Sequence, residues 1–154
     1  MDVSLLRTAH EDFLKVAAGG GFGPPPAGQW DAERLLAHVA AADATIASVA
    51  LAVVGGQRPS YDNRASLDEW NLRRIVAECG DVAGLTEFVR DQGQLFCAVA
   101  DAMPESARSV LIPVLIISAN ELIVDQPREL GDLVESIGRF HLPLHARQLA
   151  GLRS

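Results

Sequence analysis

Between Trp30 and Gly55 the apolar residues Leu35, Val39, Ala42, Ile46, Val49 and Val53 fall alternately four and three apart. That is the period of an α-helix buried along one stripe, so this segment commits the chain to packing other helices around it. Asp31 stands where an N-cap is needed, and Gly55 and Gly56 end the pattern. A looser repeat of Val3, Leu6, Phe13 and Val16 predicts a first helix over 3–18, closed by Gly19, Gly20 and Gly21. The GGGFGPPPAGQ stretch between the two is a loop by composition, because Pro24, Pro25 and Pro26 offer no amide donors.

A polar connector with Pro59 and Asn63 leads to Ser66, which with Glu69 three residues later makes a capping-box pattern and predicts the start of a third helix. That helix is expected to reach about Met103, with a break near Cys79 to Asp81. The segment 106–126 carries a short apolar run with β-branched residues, which suits a buried helix or an extended piece; helical turns are the expectation. Pro127 is expected to open the last helix, at a first turn where a missing N–H costs little, and the helix to run towards Leu152. The predicted fold is therefore all-α, a four-helix bundle in one domain over 1–154, with a short extra segment before the last helix and no strand ladder.

With 154 residues, 49% of them hydrophobic, the chain can fill a single core. A net charge of -7 and a pI near 5.0 speak against nucleic acid and anionic membrane surfaces as partners. The amino-terminal MDVSLLRTAHEDFLK lacks the unbroken apolar core of a secretory signal, and the run from Val110 to Ile117 is too short to cross a bilayer; a cytoplasmic location without a membrane span is expected. Cys79 and Cys97 have no paired or metal-binding spacing and are expected to be reduced thiols. No GxSxG, P-loop or dinucleotide fingerprint is present, so serine hydrolysis, phosphoryl transfer and nicotinamide chemistry have no support.

The residues that carry chemistry are histidines. In RFHLPLHARQL, His141 and His145 are four apart, so on a helix they share a face and can grip one ion. The inward stripe Leu130, Val134 and Ile137 continues onto His141, His145 or Leu144, and Gln148, placing polar groups where core residues belong. His38 flanks the buried stripe near the start of the second helix. If that helix lies antiparallel to the last one, the three imidazoles meet, as in sites that hold a catalytic divalent metal with one position left open. Pro143 lies between the pair, where a proline removes a helix hydrogen bond and pushes against the turn at Arg139. His10 lacks comparable support and is expected at the surface or in a structural role. Asp31, Glu33, Asp68 and Glu69 sit near helix ends and suit solvated or capping roles better than that of a general base.

WDAERLLAHVAAAD followed by HLPLHARQL resembles the DinB-like (YfiT-like) superfamily, on Trp30, His38, His141, His145 and Gln148. SLDEWN resembles that family's entry to the third helix, which makes Asn71 a weaker candidate. The resemblance implies a divalent metal, often zinc or nickel, at one end of a four-helix bundle. It also points to the branch of mycothiol-dependent maleylpyruvate isomerase and thiol transferases, with mycothiol or another low-molecular-weight thiol as a co-substrate. The isomerase has a carboxylate where this chain has His141, and an additional domain. The expected function is thus a metal-dependent thiol transferase or hydrolase acting on a small molecule, its metal held by His38, His141 and His145. The alternative is a non-catalytic bundle that binds a small ligand or pairs with a second copy as a homodimer, motivated by the apolar stretch 110–124.

Overall fold

A computed structural model describes residues 3–153. Helix α1 (Ser4–Gly19) and helix α2 (Ala32–Val54) lie close to where the sequence places them, with the Asp31 carboxylate accepting the Arg34 amide at 2.8 Å as the cap of α2. By length and composition α2 could cross a membrane, but 67% of its most apolar window is buried within the fold, as in a core helix of this packing. The predicted third helix is two: α3 (Glu69–Cys79) and α4 (Val82–Ala102), separated at Gly80. Ser66 is not its cap. Ser66 closes a 3-10 turn over Asn63–Ser66, and Asp68 caps α3 by accepting the Asn71 amide at 2.9 Å.

The all-α expectation is corrected by a three-stranded sheet. Strand β1 (Tyr61–Asp62) runs parallel to β2 (Leu111–Ser118), which pairs antiparallel with β3 (Glu121–Glu129); a one-turn helix α5 (Glu105–Arg108) precedes β2. The expected helical turns over 106–126 are thus mostly a hairpin. Its two-residue turn has Ala119 at φ 49° and Asn120 at φ 63°, the doubly left-handed geometry that matches strand twist. Pro127, expected to start the last helix, lies opposite Pro113 in the ladder. Two residues without N–H groups face each other only where neither would donate across the pair, so Pro127 instead removes a donor from the free edge of β3. The last helix begins at Leu130, three residues later than expected.

Asn63 fastens the hairpin to the helices. Its amide donates to the Ile117 carbonyl and its carbonyl accepts the Ile117 N–H, both at 2.8 Å, beside the bulge between Ile116 and Ile117. An Asn63→Ala variant is expected to lose about 1–3 kcal/mol in urea unfolding, with faster hydrogen exchange at the Ile117 amide. Unchanged exchange there would show that strand pairing alone holds the hairpin.

The last helical stretch comprises α6 (Leu130–Ser136), a π turn (Ile137–His141) and α7 (Leu142–Ala150). The π turn accounts for Pro143. A proline N cannot close the α hydrogen bond to Arg139, and one i→i+5 turn, with the Leu142 N–H bonded to the Ile137 carbonyl, widens the helix just ahead of the pyrrolidine ring. Gly138 in that turn brings the helix against α1, since a Cβ there would lie 2.9 Å from Leu6 Cα. Phe13, Leu36, Ile46, Leu72, Leu85 and Phe96 fill the core between these helices, each less than 2% exposed.

Candidate metal centre

His38 projects from the second turn of α2, His141 from the end of the π turn and His145 from α7. One ring nitrogen from each lies within 4.8 Å of the others. His38 and His145 are buried and His141 is partly so. The rings meet edge to face or tilted, with centroids 5.1 Å apart for His38 and His141, 4.8 Å for His38 and His145, and 4.4 Å for His141 and His145.

Hydrogen bonds fix how two of the three rings present themselves. His38 Nδ1 sits 2.7 Å from the Ser66 carbonyl, which can only accept, so Nδ1 carries the proton and Nε2 a bare lone pair. His145 Nδ1 lies 2.6 Å from Gln148 Oε1 and is fixed in the same sense. His141 Nε2 approaches His38 Nε2 to 3.1 Å, and its buried Nδ1 has no hydrogen-bond partner among the described residues. Burial lowers all three pKa values, that of His38 to about 4, with the neighbouring His145 adding to the effect. The cluster is therefore neutral at pH 7, the form in which imidazole binds a metal. Trp30 packs edge-on against His38 at 5.1 Å, and Arg34 lies 4.9 Å over the Trp30 ring while pairing with Glu69.

The cluster lines the wall of a cavity of about 1160 Å³, bounded by α2, the 3-10 turn, the β2–β3 hairpin and the last helical stretch. No carboxylate among the described residues lines it. Asp31 and Asp68 are caps and Glu69 pairs with Arg34 and Arg73, which matches their expected roles; Asn71 bonds the Ala65 carbonyl and Arg74, away from the cavity. Cys97 is no ready nucleophile, because burial raises its thiol to about 11. Two contributions to the site have no motif. The Ser66 carbonyl orients His38 through its backbone alone, and the hairpin wall depends on strand pairing that the sequence did not disclose.

His10 is not at the surface. It is 5% exposed, edge-on to Phe96, and its Nε2 stands 3.6 Å from the carboxylate of the fully buried Asp43. Gly93 makes room for the ring, since a Cβ there would come within 2.7 Å of His10 Nδ1. Burial raises the Asp43 pKa well above its usual range and lowers that of His10 to about 4. Neither side chain has a hydrogen bond among the described residues.

Fold and site together define a mostly helical protein with a small sheet and a three-histidine cluster compatible with a metal ion. No protein-family model, curated protein or solved structure matches the chain.

Proposed function

We propose that this chain is a metal-dependent enzyme of the DinB-like kind, a thiol transferase or hydrolase in a four-helix-bundle framework, with His38, His141 and His145 holding zinc or nickel. One observation carries the reading: Ser66 and Gln148 occupy the Nδ1 atoms of two histidines and leave their Nε2 lone pairs to meet at a cavity. Such outer partners are how metal-binding imidazoles are oriented. The 3.1 Å between His38 and His141 Nε2 is near the roughly 3.3 Å edge of a tetrahedron with zinc–nitrogen bonds of ordinary length. When bound, the ion would lower the pKa of water or a low-molecular-weight thiol in its open position towards neutrality. That supply matters because no carboxylate among the described residues lines the cavity to act as base. The chain's own part is to keep three imidazoles neutral, to fix two tautomers and to wall the site from solvent with Trp30.

A second reading, a non-catalytic module that binds a small ligand or pairs with a second copy, draws on Leu111, Leu122 and Ile123, each more than half exposed on the hairpin. Elemental analysis of the untagged protein tests both. About one zinc or nickel per chain, lost in a His38→Ala variant that stays folded, is the expected result. Absence of metal after reconstitution would favour the second reading, and a dimer in sedimentation would then support its homodimeric form.

A further inference from the structure

Around the three histidines the cavity wall is built from Ile116, Ile117, Ile123, Leu133, Phe140 and Leu144. Three of these are unusually open for their type: Ile123 is 58% exposed, Phe140 64% and Leu144 43%. They come from the hairpin and from the last helical stretch, two separate parts of the chain that face one space. Clustered open apolar side chains beside convergent polar groups mark a ligand site, whereas singly scattered ones do not. The charge census agrees. This chain carries 20 acidic and 13 basic residues, yet among the described residues the only ionisable lining groups besides the histidines are Arg34 and Tyr61. The Arg34 guanidinium pairs with Glu69 and lies over the Trp30 face, its buried Nε having no hydrogen-bond partner among the described residues, and burial holds the Tyr61 hydroxyl in its neutral form. At about 1160 Å³ the space exceeds what water or a small acid needs and suits a drug-sized molecule.

We infer that the ligand of this site is a bulky molecule that presents one metal-binding donor, such as a thiol or carbonyl, to the histidines and lays an uncharged apolar body against the Ile123–Phe140–Leu144 wall. The inference rests on the metal reading for the donor end and on the wall for the apolar end. The two ends can be measured separately.

Neutral alkyl hydroxamates from acetohydroxamate to octanohydroxamate, titrated into the zinc-reconstituted protein by calorimetry, provide the test. The shortest member reports the metal, and the change with chain length reports the wall. Affinity is expected to rise about two- to fourfold per added methylene, the upper value corresponding to full burial. Ile123→Asp should weaken octanohydroxamate at least about tenfold while leaving acetohydroxamate within about twofold, because it places a charge in the wall alone. Ile123→Val, which keeps the apolar surface, should behave as the parent. A flat series overturns the inference whatever the shortest member does. Failure of acetohydroxamate to bind, with the chain-length increments preserved, overturns the metal reading and leaves the apolar wall standing. In metal-free protein 1-octanol should bind at least as well as octanoate. A more than tenfold preference for octanoate, abolished by Arg34→Ala, would give the ligand an anionic group at Arg34 and refute the uncharged body.

Discussion

Zinc at a thousandfold excess over its dissociation constant is expected to raise the melting temperature of the metal-free protein by roughly 8–16 °C at pH 7. The same addition should shift a His141→Ala variant by less than about 2 °C. A ligand that binds only the folded state at that excess contributes about 4 kcal/mol. For a chain of this length each kcal/mol moves the midpoint by about 2–4 °C. His141 is the informative position because its Nδ1 has no partner among the described residues and its Nε2 lies 3.1 Å from that of His38. Its truncation removes a ligand without breaking a hydrogen bond to the backbone, whereas His38→Ala would also orphan the Ser66 carbonyl. Scanning calorimetry in chelator and in buffered zinc reads the difference. Equal shifts in both proteins would place the ion elsewhere and remove the basis of the proposed function.

Which parts of this molecule the sequence disclosed follows from how local each signal is. Helix α2 announced itself because its stripe, its Asp31 cap and its Gly55 stop all lie within one segment and agree. The meeting of His38 with His141 and His145 was also legible, through periodicity on two helices and the resemblance to DinB-like proteins. The hairpin was not. LIPVLIIS and ELIVD have the β-branched content of strands, but Pro113 and Pro127 read as breakers, and Ala119-Asn120 lacks the glycine that usually marks a two-residue turn. Their position opposite each other, where neither would donate across the pair, makes both tolerable, and that register is a tertiary fact.

His10 and Asp43 were missed for a related reason. Each is a polar residue on the buried face of its own helix, and nothing in either helix alone shows that the two side chains meet. The glycine that admits the imidazole, Gly93, sits on a third helix, where it reads as a weakness rather than as space for a ring. Ser66 presents the same difficulty in another form: its contribution is a carbonyl, which every residue has, so its identity carries no information about His38.

The buried pair leads to the second large expectation, a maximum in the stability of the metal-free protein near pH 6.5, with Asp43 responsible for the fall above it. In the fold burial favours the neutral form of both members, which leaves the pair one proton, on Asp43. In the unfolded chain it also carries one proton between about pH 4 and 6.5, then on the imidazole, and stability is flat with respect to the pair in that window. Above 6.5 the unfolded imidazole gives up its proton, whereas burial, which raises the Asp43 pKa, favours the protonated carboxyl in the fold. A raised carboxyl pKa stabilises at low pH and loses that contribution as pH rises, by about 1.4 kcal/mol per pH unit wherever folded Asp43 is still protonated and the unfolded His10 imidazole is not. The acid side has the opposite sign and a different source. His38 titrates near 4 in the fold and 6.5 when unfolded, so its lowered pKa costs about 3 kcal/mol by pH 4, and His141 and His145 add in the same direction. Urea unfolding in chelator from pH 4.5 to 8.5 should therefore trace a dome. Asp43→Asn should abolish the alkaline fall, because nothing in the pair then titrates above 6.5. It should also steepen the acid limb, since His10 is left to resist protonation alone. An alkaline slope that survives Asp43→Asn would assign the proton to another group and leave the buried pair as a packing feature only.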